Sequence, residues 1–382
     1  MLIEESRWDS DTGWTNLGSH RGDADLVLYF GSRSVLLDAE RYTEMRAAYP
    51  RATIAGCSAT RSIAGDVVEE DVVVAVALRF AHTSIRLAQG SVTNSIQSRD
   101  AGTAIGETLA AKDLAAIFLL ADGLLVDETA LTAGVSAAVG DVPLIIGGMA
   151  SDPRDYEMVL VGADCAPTGG VVAAVGFYGD AIRFAHGRGC GWDAFGPRRR
   201  VTKANGNVLF ELDGKPAYEL YRRYLGDVLS GRAASEGVIY PLSISSPEDA
   251  ETTLVRAPLA IDDGPASMTF AGHVPEGWMA RLMRGNADRL ILGAAEAARQ
   301  AHFVADESGA GDTLALVVSC AGRHQMMGQR TEEELEAVGA ELAGTTRIGF
   351  YSFGEIAPVG DRGGADVHNQ TICITSLTEI SA

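Results

Sequence analysis

A 382-residue chain with 47% apolar and 21% charged residues is long enough for two packed domains and too apolar to remain disordered. With 31 basic against 51 acidic residues its formal net charge is −20, which repels nucleic acid and anionic membrane surfaces and sets both aside as main partners. The start MLIEESRWDS carries no basic-then-apolar signal, the longest apolar runs (114–121 and 72–78) fall far short of a membrane span, and the five cysteines never show CxxC spacing, so a cytoplasmic protein with reduced thiols and no zinc site is expected.

Residues 25–30 read as a strand, 37–49 as a helix stopped by Pro50, and 52–57 and 71–80 as strands rich in β-branched side chains. A helix over 95–112, a buried strand over 114–120 and a helix over 126–139 follow, then strands over 143–146 and 170–177 framed by glycines. Asp213-Gly214 signals a turn and Pro216 suits a first helical turn. Ala217, Leu220, Tyr221, Tyr224, Leu225 and Val228 then mark an amphipathic helix that Gly231 can close, and a domain boundary is placed there. Strands are predicted over 238–244, 253–261, 268–271 and 314–319. A helix capped by Asn286 presents Leu290, Ile291, Ala294, Ala295 and Ala298 on one face, and another opens with Thr331 and Glu334 in capping-box spacing. Two last strands, 348–353 and 367–377, flank a Gly-rich loop, and no sequence repeat is visible.

Neither a phosphate loop of the GxxxxGK[ST] type nor a GxGxxG fingerprint is present. Gly56-Cys57-Ser58, Asp122-Gly123 and Gly147-Gly148 lie at or past strand ends, where α/β sheets build crevices or simply turn, and Cys57 reads as a buried structural thiol. Arg198-Arg199-Arg200 with Lys203 is the basic cluster, read as a solvated turn ahead of a docking face for an acidic partner. Ser319-Cys320-Ala321-Gly322-Arg323 ends an apolar strand, GFYSFGEI (349–356) sets Tyr351 and Glu355 beside glycines, and His368-Asn369-Gln370-Thr371 opens the last strand. Arg, Glu, His and Asn at strand ends supply oriented donors and acceptors for a small polar molecule, although a lone His such as His368 is more often structural.

The run VTKANGNVLFELDGKPAYELYRRYLG (201–226) resembles the junction between the N- and C-terminal modules of the FIST family. The three glycine motifs above fit the N-terminal module; Leu254-Val255-Arg256, Pro275-Glu276-Gly277, 319–323, GFYSFGEI and HNQT fit the C-terminal one, and the resemblance spans 25–380. One departure is Ala150-Ser151, where members often show a Gly after the Ala.

The alternation of elements gives an α/β (α+β mixed) class. The resemblance implies two mixed-sheet modules, 25–215 and 216–380, with flanking helices and packed as one body. It further implies an intracellular signal-transduction sensor, not an enzyme, that binds a small ligand such as an amino acid and signals to a partner protein. A second implied reading is a haem-bound nitric-oxide sensor controlling a histidine kinase, with His368 as axial ligand, then His273 and His324. A third reading is an enzyme using Cys320 as nucleophile, activated by Arg323 or a His. For the leading reading Cys320, Arg323, Tyr351, Glu355, His368 and Asn369 are expected to gather in one cleft, with Arg256 and Asp122 as further ligand contacts. Arg323 would take a carboxylate and Glu355 an ammonium, the alternative being that the two pair with each other.

Overall fold

The computed structural model describes residues 1–19, 23–140, 144–152, 157–225, 240–262, 266–303, 312–358 and 364–380. It is an α/β structure of mixed sheets and flanking helices packed as one body. Among the described residues, no helix is long and apolar enough to cross a membrane.

Three times along the chain two parallel strands lie side by side: Leu26–Gly31 with Thr53–Ser58, Leu114–Asp122 with Leu144–Ala150, and Leu314–Cys320 with Thr346–Ser352. An antiparallel strand borders the first member of each pair (Val73–Arg79, Val171–Tyr178, Ile372–Glu379). A second antiparallel strand lies outside that one (Leu2–Asp9, Ser84–Ser91, Ile182–Gly189). The strand that follows each pair leaves its own sheet. Ser62–Ala64 joins Thr346–Ser352, Val161–Ala163 joins Thr53–Ser58, and Glu355–Pro358 joins Leu144–Ala150. The exchange is cyclic, so each of the three sheets contains strands from two units. This threefold recurrence of topology has no counterpart as a repeat in the sequence.

The glycine motifs acquire a structural reason here. A Cβ on Gly56, Gly147 or Gly349 would stand 2.1, 1.9 or 1.7 Å from the carbonyl oxygen of Tyr29, Leu119 or Val317, its partner in the parallel pair. The three positions match in register, and any side chain would push the pair apart.

Strand alternation places one face of every sheet on a common core and the other face under helices. Leu28, Phe30, Val76, Phe118, Val175, Leu316, Val318 and Phe350 meet in the centre. Phe30 stacks on Phe350 at 4.6 Å and meets Phe118 edge-on at 6.5 Å. The alternate residues Val27 and Ala75 pack with Met45 of the helix Glu40–Ala48, Ile117 and Leu119 with Ile105 and Leu131, and Ala315 and Val317 with Ala294 and Leu335. Because both faces are buried, these strands read as nearly continuous apolar runs.

Between Ile182–Gly189 and the helix Ala287–Gln300 the third unit carries an insertion, an antiparallel eight-stranded sheet running from Asp193–Asn205 to Met279–Arg284. The helix Ala217–Leu225 buries Ala217, Leu220 and Tyr221 in its core, as the predicted stripe requires, while Tyr224 is exposed. Residues 226–229 of the predicted helix, Gly231, and 238–239 of the predicted strand lie outside the described residues, as do Pro143 and Gly363; the strand itself is Leu242–Ser245.

Other expectations change in detail. The helix expected over 37–49 is Glu40–Ala48, set off from a short helix Arg33–Leu36 because Asp38 turns the chain by accepting from Glu40 N and Ala39 sits at φ 62°. The helix expected from 126 begins at Glu128, with Asp127 as its N-cap. The arginine run 198–200 lies in the long strand Asp193–Asn205, not in a turn, and Arg199 pairs with Asp213 at 3.0 Å. Asn286 caps its helix as expected, accepting from Asp288 N. Thr331 and Glu334 form no capping box: Thr331 already lies in the helix Thr331–Glu341, and Glu334 turns into the core to meet Arg323.

Candidate functional site

Every residue expected to touch a ligand is at most 4% exposed. Arg323 is held by three acceptors: the Glu334 carboxylate, Cys190 O at 2.5 Å and Leu290 O at 2.9 Å. Ser319 Oγ and Tyr351 OH donate to the same Glu334 at 2.9 and 3.1 Å. Arg323 and Tyr351 therefore share one network, whose carboxylate is Glu334 and not Glu355.

Glu355 anchors a second network, accepting from Ser352 Oγ at 2.8 Å, Thr371 Oγ1 at 2.9 Å and Thr371 N at 3.2 Å. Burial pushes its pKa up to about 8 against the pull of these donors, Cys320 among them. Burial also lifts the Cys320 thiol well above its ordinary value, and the neighbouring Glu355 adds to it. A thiol so held is a weak nucleophile.

Arg188 Nη1 lies 2.7 and 2.9 Å from the two ring nitrogens of His368. Burial, with Arg188 and Arg256 nearby, holds that imidazole well below its ordinary pKa. Both amide atoms of Asn369 are buried without a partner. His324 bonds Thr331 Oγ1 at 3.0 Å, and burial lowers it to about 4. A haem does not fit these histidines as they stand: His368 is enclosed, and the second candidate, His273, has Nε2 held by Asp127 at 2.9 Å. Among the described residues, no cluster of His, Cys, Asp and Glu could hold a metal ion.

An open site exists elsewhere. A cleft of about 280 Å³ separates the loop 123–128 and Ser95 from the inserted sheet, which contributes Asn207, Leu259 and 270–273. That is close to the lower bound of roughly 300 Å³ for pockets that enclose small ligands. Two of the expected residues build its walls without facing it. Asp122 accepts from Leu124 N, Leu125 N and Gly170 N, which fixes the 123–126 loop. Arg256 donates to His273 O at 2.9 Å and Val367 O at 2.8 Å, which fixes the opposite wall to the third unit. Burial lowers the pKa of Arg256, and Asp366 and Glu128 oppose that.

The polar groups facing the cleft come from a helix start. Asp127 Oδ1 caps the helix Glu128–Val139 through Ala130 N, and Oδ2 reaches His273. Burial alone would lift Asp127, but hydrogen bonds from His273 and Ala130 outweigh it and leave it below its ordinary value. The Asp127 bond raises His273 in return. Glu128 is different. Its Oε2 is buried with no hydrogen-bond partner, and burial together with Glu355 pushes its pKa well above the usual carboxylate range. Asp127, Glu128 and Asn207 were not singled out from the sequence. The signal was the Asp-Glu pair opening a helix, hidden by starting that helix at 126.

Comparison with known proteins places this architecture. Residues 25–215 match the FIST N domain and 217–358 the FIST C domain. An uncharacterised protein of Methanocaldococcus jannaschii is 35% identical over 89 residues, which cover 22% of this chain and 16% of that protein. The crystal structure of cyanuric acid hydrolase from A. caulinodans aligns over 100% of this chain and 99% of that one, at 7% identity and a TM-score of 0.37 that carries no argument. The chain belongs to the FIST family, whose domains are associated with signal-transduction sensing.

Proposed function

We propose that the chain is a sensor that binds a small ligand in the 280 Å³ cleft and signals its occupancy to a partner protein, a histidine kinase being the class the family suggests. The observation that carries this reading is Glu128 Oε2, a carboxylate oxygen buried at the cleft without a partner. Leaving such an atom unpaired costs roughly 1–3 kcal/mol or more, which a ligand donor offsets. The cleft lies between the inserted sheet and the second unit, so occupancy biases how those two bodies sit. The Asp127–His273 pair spans the same gap. Behind it, Glu128 abuts the turn before Glu355, because a Cβ on Gly354 would stand 2.6 Å from Glu128 Oε2. Ligand binding there would shift a two-state balance that a partner reads on the outer surface.

The test is a small-molecule screen by thermal shift on the wild type and on Leu259→Trp, which places a bulky indole at the cleft. Ligands that stabilise the wild type and not the variant support the cleft. Ligands that stabilise both equally put the site elsewhere.

A further inference from the structure

The cleft combines an unpaired acid with two exposed leucines in a lining that is otherwise largely polar. Leu124 and Leu259 line it while 36% and 44% exposed, and Val126 and Phe270 stand behind them. At its floor Glu128 has the acidic side chains of Glu355, Asp127 and Asp366 and the Arg256 guanidinium as electrostatic neighbours. The two cations close by are already engaged: Arg256 donates to carbonyls, and His273 is paired with Asp127. An anion entering the cleft would meet acidic side chains and no free donor fork. A hard metal ion needs several oxygens, yet both oxygens of Asp127 are committed to Ala130 and His273. An ammonium needs one strong acceptor and offers three donors.

Building on the cleft reading above, we propose that the ligand class is a primary amine with a short apolar body. Its ammonium would pair with Glu128, whose side chain lines the cleft, while its hydrocarbon lies against the exposed Leu124 and Leu259. The ammonium would favour the ionised form of Glu128, which burial otherwise holds neutral, and the apolar body removes Leu124 and Leu259 from water.

The probes are 2-phenylethylamine, the isosteric alcohol 2-phenylethanol, and phenylacetate, titrated by calorimetry and thermal shift against wild type, Glu128→Gln and Leu259→Trp. The amine should bind the wild type, the alcohol and the acid at least about tenfold more weakly, and Glu128→Gln should weaken the amine by about ten- to a hundredfold. Glu128→Gln removes no hydrogen bond through Oε2, so an unchanged or raised melting temperature without ligand checks its fold. Alcohol or acid binding as well as the amine, with Leu259→Trp abolishing it, would overturn the amine proposal while leaving the cleft reading intact. Amine binding that neither variant alters would overturn both. No binding of the amine at all would overturn the ligand class.

Discussion

Replacing Arg323 by Ala should destabilise the fold by about 3–5 kcal/mol, the range for breaking a buried ion pair by removing one partner. Arg323 and Glu334 are both 0% exposed, and the guanidinium joins three helices and the segment after Ile182–Gly189. It donates to Glu334 of the helix Thr331–Glu341, to Leu290 O in Ala287–Gln300 and to Cys190 O after Ile182–Gly189, while itself sitting in Ala321–Met327. Removal leaves a buried carboxylate with only Ser319 Oγ and Tyr351 OH for company. Most of the cost is therefore that stranded charge and not the lost contact. The double variant Arg323→Met/Glu334→Gln removes both charges and keeps an acceptor for the two hydroxyls, so it should recover part of the loss. Urea unfolding followed by far-UV circular dichroism reads both. A loss below about 1 kcal/mol in Arg323→Ala would refute the reasoning, as would a double variant less stable than the single one.

Glu355 has a folded-state pKa of about 8 against an ordinary 4.5, so the folded chain holds a proton that the unfolded chain releases. Stability should therefore fall as pH rises between those values, by up to about 1.4 kcal/mol per pH unit, and Glu355→Gln should flatten that slope in urea titrations at pH 5 and pH 8. The raised pKa of His273 acts similarly: its bond to Asp127 is fully charged below about pH 6.5 and weakens as pH rises through the folded value. Hydrogen exchange at the start of Glu128–Val139 should be slower at pH 6 than intrinsic rates predict from pH 8, and His273→Gln should remove the difference. Separately expressed 1–215 and 232–382 should be insoluble or molten, because Ser62–Ala64 and Ile182–Gly189 complete a sheet with strands beyond 313, while Glu355–Pro358 completes one before 151. Two soluble halves with cooperative melts would contradict the shared sheets.

The sequence reveals the strands that are buried on both faces, such as Leu114–Asp122 and Leu314–Cys320, because their apolar runs are unbroken. It hides the half-exposed ones. Ser84–Ser91 alternates polar and apolar residues beside glycine, and Asp193–Asn205 carries the arginine run, so neither stands out. The cyclic exchange is invisible because three-residue strands such as Ser62–Ala64 and Val161–Ala163 earn their place only through partners far away in sequence. The motif residues were legible as important, but not for their reason. Gly56, Gly147 and Gly349 serve close strand contact, and Arg323 serves a core ion pair. A strand-end position does not say whether a polar side chain faces a cleft or another buried group. Glu128 shows the converse: an acidic residue in a first helical turn looks like ordinary helix-dipole chemistry until the insertion closes over it.

On the proposed reading a small ligand sits between the second unit and the inserted sheet. Crystals soaked with a mixed set of small amines, alcohols and acids test it directly. Ligand density should be bounded by 123–128 on one side and 270–273 on the other, with a donor at the Glu128 carboxyl. Ordered ligand density found elsewhere, with this cleft holding only solvent, would contradict it.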